Sequence, residues 1–210
     1  MSRLWDKGEP LDKRVLRYTA GEDHKLDARL VRYDVRASIA HAEMLHEQQY
    51  LSDDDCQSIV AGLSTLLEQF EAGEWSITLE DEDAHTALEN RLTALIGDAG
   101  ARVHLGRSRN DQVLVALRLY LLDATDAVTA SVEELISSLQ GLVAKQGDIE
   151  LPGTTHMQHA MPSSVRWWCG GYEEAFADNI AGLQAARRRA DKNPLGSAAG
   201  YGTPGLSINR

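Results

Sequence analysis

The sequence predicts an all-α protein of the helical-bundle type, on three observations. Apolar residues recur at steps of three and four through most of the chain, which is the period of one helix face. No segment alternates apolar and polar residues convincingly, as a half-buried strand would. One apolar stripe, from Val113 to Val143, outlasts a typical globular helix and needs lateral partners along its length.

The elements follow in chain order. Leu26 to Gln49 carries Leu30, Val31, Val35, Ile39, Ala42, Met44 and Leu45 at helical spacing. The next helix begins at Ser52, an N-cap followed by Asp53, Asp54 and Asp55, acids that suit the positive helix end. Its apolar set is Ile59, Val60, Leu63, Leu66, Leu67 and Phe70, and Gly73 closes it. Glu82 to Ile96 sets Ala84, Leu88, Leu92 and Leu95 on one side, and the acidic run Glu80 to Asp83 before it reads as a solvated helix start. The long helix follows, with Val113, Leu117, Tyr120, Leu121, Val128, Val132, Leu135, Leu139 and Leu142 in its stripe. After Pro162, Ser163 or Ser164 starts a last helix through Trp167, Trp168, Tyr172, Phe176, Ile180 and Leu183, which ends before Pro194. Three stretches read as irregular: Arg102 to Asn110, Asp148 to Ser163, and Asn193 to Pro204.

Composition narrows the function. At 210 residues the chain is long enough to bury a sizeable core. A net charge of −11 argues against nucleic acid or an anionic membrane surface as the main partner. It leaves room for an anionic small molecule, because a local group of arginines holds carboxylates on an acidic protein. Two cysteines, Cys56 and Cys169, make no disulfide framework and fit a reducing compartment. No signal peptide and no membrane-spanning run is read, so the expected compartment is the cytoplasm.

Three constellations carry candidate chemistry. In Gly106-Arg107-Ser108-Arg109-Asn110-Asp111-Gln112, two guanidinium groups and several polar side chains crowd the start of the long helix. Unpaired helix N–H groups and a partial positive charge gather there, which suits a small molecule with several carboxylates. A solvated, capped helix start explains the same residues equally well. In Pro152-Gly153-Thr154-Thr155-His156-Met157-Gln158, a loop histidine flanked by hydroxyls and an amide is a candidate general acid or base, although a lone loop histidine is more often structural. Gly200, Gly202 and Gly205 formally fit the dinucleotide fingerprint, but no strand precedes them and Pro204 lies inside, so that reading is discounted. The histidines form no metal motif: Tyr50 stands where a zincin pattern begun at His46-Glu47 needs its second histidine.

Taken together, these stretches resemble one family. His104-Leu105-Gly106-Arg107-Ser108-Arg109-Asn110-Asp111-Gln112-Val113 resembles the hallmark segment of argininosuccinate lyases and delta-crystallins. Pro152 to Gln158 resembles a second segment of the wider fumarase/aspartase superfamily, and Pro194 to Ser197 with Ile208-Asn209-Arg210 resembles the one that follows. Glu82-Asp83-Ala84-His85 and Asp34-Val35-Arg36-Ala37-Ser38 also fall in family-like positions. The resemblance implies an N-terminal helical domain over residues 1–107 and the first part of a central helical bundle over 108–210. It implies elimination of fumarate from argininosuccinate to give arginine. His156 would be a catalytic acid or base, with Ser108, Arg109, Asn110, Thr155, Gln158 and Arg210 at the substrate. It implies no cofactor, no metal, and a homotetramer whose active sites are shared between subunits. Family members are about twice as long and carry a catalytic serine loop that these residues lack, so the chain alone is expected to be inactive, with exposed apolar helix faces. Asp23 stands where the family usually has a serine, and Thr154 where it usually has a tyrosine. A non-catalytic crystallin-like or regulatory scaffold, or another lyase of the superfamily such as adenylosuccinate lyase, are the alternatives.

Overall fold

The computed structural model describes residues 12–198 and 200–209, with Lys13 through its backbone only. Helix α1 (Lys13–Ala20) is capped by the Asp12 carboxylate, which accepts from the Arg14 amide. The single turn α2 (Asp23–Leu26) and a 3-10 turn at Asp27–Arg29 lead to three helices that hold the core: α3 (Val31–Glu47), α4 (Asp53–Glu71) and α5 (Ala84–Ile96). The short α6 (Asp98–Ala101) and a 3-10 turn at Arg102–His104 precede α7 (Arg109–Gln146), which at 38 residues is roughly 57 Å long. Strands β1 (Glu150–Thr155) and β2 (Gln158–Ser164) form an antiparallel hairpin, and α8 (Val165–Ala190) follows.

The caps fall where the sequence places them. Ser52 accepts from the Asp55 amide at α4, and Ser164 from the Trp167 amide at α8. Val31, Val35 and Leu45 of α3, Ile59 and Leu63 of α4, and Leu92 of α5 are almost wholly buried against one another. Each such side chain contributes roughly 1.5–3 kcal/mol by leaving water.

Contacts divide the chain into two compact units. One is made of the described residues up to Tyr120 together with those from Asn193 onward, and the other is Leu121–Lys192. In the second unit, Arg187 of α8 pairs with Asp126 of α7 at 2.6 Å, and Gln140 bonds Glu173. The apolar stripe of α7 is left largely uncovered: Val113, Leu117, Leu121, Val128 and Leu135 are all exposed, as are Trp167, Trp168 and Tyr172 on α8.

The structure corrects the sequence reading in three places. The first predicted helix does not run unbroken from Leu26, because the 3-10 turn at Asp27–Arg29 intervenes. The acidic run is not solvated throughout. Asp81 is buried, accepts from Thr78 and pairs with Arg91 at 3.2 Å. Burial opposes its charge, but these bonds outweigh burial and its pKa is lowered. The third correction is the hairpin, in a stretch read as irregular. Its strands are mostly exposed, with Leu151, Gly153, Ser163 and Ser164 half-buried, so no run of alternating apolar and polar residues marks either one in the sequence.

The hairpin is irregular in its own way. Pro152 pairs opposite Pro162, and the register slips by one residue beyond that point, a bulge on β2. Gly153 lies opposite the bulge, where an added Cβ would stand 2.0 Å from the Met161 carbonyl oxygen. The connecting residues His156 and Met157 both have positive φ, 51° and 63°, as a type I′ turn requires. Asn-Gly suits such a turn, and neither His nor Met does. Replacing the pair by Asn and Gly (His156→Asn with Met157→Gly) should stabilise the hairpin by about 1 kcal/mol or more. Amide exchange across Glu150–Ser164 would then slow about fivefold or more; unchanged exchange would mean the turn stores no strain.

Candidate functional site

The start of α7 is a reciprocal cap. The Ser108 hydroxyl accepts from the Asn110 amide at 3.1 Å, and the Asp111 carboxylate accepts from the Ser108 amide at 2.8 Å. Ser197, returning in the same unit, donates its hydroxyl to the other Asp111 oxygen at 3.3 Å. Gly106, at φ +74°, makes the bend into the cap, and a Cβ there would sit 2.9 Å from Ile208. The Arg109 guanidinium is held by the carboxylate of Asp83, which also caps α5, and by the Thr86 hydroxyl. Asn110 is exposed. Of the predicted residues here, Ser108 and Arg109 are therefore bound within the protein, and Asn110 turns outward.

Beside this turn lies a set of buried polar groups to which the sequence reading gave no role, although it set Asp34, Ser38 and His85 in family-like positions and counted Arg107 among the guanidinium groups at the helix start. Asp34 accepts from His85 Nδ1 at 2.7 Å through one oxygen and from the Ser38 hydroxyl at 3.3 Å through the other. Ser38 in turn receives Arg107, which also donates to the Val103 carbonyl at 2.7 Å. His41 Nε2 donates to the Leu105 carbonyl at 2.8 Å, and His104 Nδ1 meets the Gln112 side chain at 3.1 Å. Their signal was available: Asp34, Ser38 and His41 recur at steps of four and three along α3, and His85 shares a face with Leu88 and Leu92.

Electrostatics follow from burial. For His85, burial favours the neutral ring, but the Asp34 carboxylate, with Asp83 and Asp27 further off, outweighs it and raises the pKa. For His41, burial together with the Arg107 charge presses the pKa down to about 4. Arg107 itself is pushed down by burial, against the pull of Asp34, Glu89 and Asp111.

The second candidate group lies in the other unit. Thr155 and Gln158 pair at the end of the hairpin and His156 sits in its turn, all three exposed. Arg210 falls outside the described residues. Asp23 is exposed at the first position of α2. Among the described residues, no three His, Cys, Asp or Glu side chains are placed to hold a metal ion, and no helix is long and apolar enough to cross a membrane. A helix N-terminus favours negative charge, and Asn110 is the exposed polar side chain there. An exposed histidine beside hydroxyl and amide groups is the kind of side chain general acid–base chemistry uses.

A family model described as "Lyase" matches residues 10–209. The chain belongs to this lyase family. Curated relatives of this chain include the argininosuccinate lyase of Sorangium cellulosum, 47% identical over 200 residues that cover 95% of this chain and 46% of the relative. The argininosuccinate lyase of Thermotoga neapolitana is 40% identical, covering 99% and 52%. The chain thus spans about half the length of the curated relatives it matches. Among solved structures, EDDS lyase in complex with formate matches with a TM-score of 0.77 at 24% identity, over 97% of this chain and 40% of that one. A fumarate lyase:delta crystallin from Brucella melitensis matches at 0.69 and 18%, over 86% and 47%. These two likenesses bear on the fold, and both belong to proteins named as lyases.

His41 gives the site a signature in acid. Its folded pKa of about 4 lies below its ordinary 6.5, so its contribution to stability is intact above pH 6.5 and is lost as the pH falls toward 4. His85 has the opposite sign, contributing below its ordinary pKa and losing that as pH rises through its raised value. His41→Gln keeps a donor for Leu105 and removes the titration. In urea unfolding across that window, the parent chain should lose about 3 kcal/mol more stability than the variant; parallel curves would show that His41 takes up its proton freely.

Proposed function

We propose that this chain is the N-terminal half of an argininosuccinate lyase, which releases fumarate from argininosuccinate and leaves arginine. The observation that carries the reading is the capped start of α7, with Asn110 outward in the segment Gly106 to Gln112, in a chain whose curated relatives bear that name. The reaction is an anti elimination. A base removes a proton beside a carboxylate, negative charge gathers on that carboxylate, and the carbon–nitrogen bond breaks as the guanidino group leaves with a proton. Asn110, at the positive end of α7, meets the substrate carboxylate where the charge develops. Thr155 and Gln158 orient the substrate, and His156 gives or takes the proton. Ser108 and Arg109 hold the turn in shape while lending it their dipole and charge, and Arg210 belongs to the same site.

The reading extends to the whole protein. We assign residues 1–107 to the N-terminal domain and 108–210 to the central bundle; the start of α7 at Arg109 supports this boundary, while contacts group the first turns of α7 and the residues from Asn193 with the first domain. The intact enzyme is a cytoplasmic homotetramer that needs no cofactor, its sites shared between subunits, and the catalytic serine comes from outside these residues. The uncovered stripes of α7 and α8 are the faces such an assembly would bury.

The test joins this chain to the C-terminal half of the Sorangium cellulosum relative. The chimera should release fumarate from argininosuccinate and not from adenylosuccinate, while the 210-residue chain alone releases none. His156→Gln in the chimera should cut turnover by about 10²–10⁴-fold, the usual worth of a general acid or base. A folded chimera that leaves argininosuccinate intact would refute the assignment, and fumarate from adenylosuccinate would replace it with a purine-directed lyase.

A further inference from the structure

Arg107 is the most deeply buried guanidinium among the described residues, 7% exposed. Among those residues no carboxylate lies within ion-pair reach of it, and its Nε is buried without a hydrogen-bond partner. Its other nitrogens donate to the Ser38 hydroxyl on α3 and to the Val103 carbonyl. The Ser38 hydroxyl donates to Asp34, and Asp34 also accepts from His85 on α5. One side chain thus links the stretch before α7 to two core helices. Four residues on from Arg107, Asp111 is 2% exposed and seated on the Ser108 amide.

We propose that Arg107 is the positioning residue of the Ser108–Asn110 turn: a buried cation that ties the residue before the turn to α3 through Ser38 and to the 3-10 turn through the Val103 carbonyl. Its importance for a reaction rests on the reading that this turn receives a carboxylate. A buried guanidinium is costly to hold unless its donors are met, so Arg107 stays where Ser38 and the Val103 carbonyl receive it, and the backbone that follows is fixed with it. Remove the guanidinium and the residue before the turn is released from α3. The reciprocal cap then opens and Asn110 loses its fixed direction. Arg107 touches no substrate; it acts through Ser38 and Val103.

Amide hydrogen exchange on the ligand-free chain separates this role from general stability. In Arg107→Met, exchange at Ser108, Asn110 and Asp111 should rise by about tenfold or more while Ile59 and Leu63 in α4 keep their rates. Arg107→Lys keeps the charge but not the fork, and should return the turn to within about threefold of the parent. Should Arg107→Met fail to fold, Ser38→Ala decides, since it cuts the tie to α3 and should quicken the same amides by about threefold or more. The proposal is overturned if the turn and α4 quicken together, if neither moves, or if Lys restores no more than Met. Because no ligand is present, the result does not depend on lyase activity, and a chimera inactive on argininosuccinate leaves it standing.

Discussion

A guanidinium does not shed its proton in a protein, so whatever surrounds Arg107 has to accommodate a permanent charge. Several features of the first unit follow from that constraint. α3 presents Ser38 and Asp34 one turn apart, so that hydroxyl and carboxylate meet the cation in series. α5 enters with His85 deep enough to reach Asp34. The 3-10 turn before α7 is wound so that the Val103 carbonyl faces back toward Arg107. Apolar residues in place of Arg107 and Asp34 would strand the Ser38 hydroxyl and the His85 ring that these groups hold, a costly outcome for buried polar atoms. What the charges add is a definite geometry for the residues that follow.

The two candidate groups obtain definition in different ways. At the head of α7, local preference and structure agree: serine caps, an acid reaches back three residues later, and glycine makes the bend. In the hairpin they disagree. His156 and Met157 occupy left-handed backbone that the flanking strands impose.

Much of the helical architecture was legible because burial writes a period into the sequence. The stripes of α3, α4 and α5 and the serine caps at residues 52 and 164 could be read directly. The hairpin could not, since strands exposed on both faces need no alternation, and its pairing rests on backbone bonds that any residue makes. Asp81 was misread for a related reason: a run of acids looks solvated until a distant Arg91 folds against one of them. At the site, Arg109 stood out as a grip for carboxylates, yet its partner Asp83 lies 26 positions away and no spacing rule foretells the pair. Asp34, Ser38 and His85 were visible as polar interruptions on buried faces. Their meaning appears only when α3 and α5 meet.

The division of the chain bears on the order in which it folds. The first unit is interrupted: it leaves at Tyr120 and is rejoined at Asn193, after an excursion of about seventy residues. The contacts among α3, α4 and α5 span short stretches of chain and form early. Those of Ser197 with Asp111 and of Ile208 against Gly106 must wait for a long loop to close. On the ribosome, the head of α7 therefore emerges and stays unfinished while the whole second unit is made, and its last polar contact is set only as residues beyond Asn193 return.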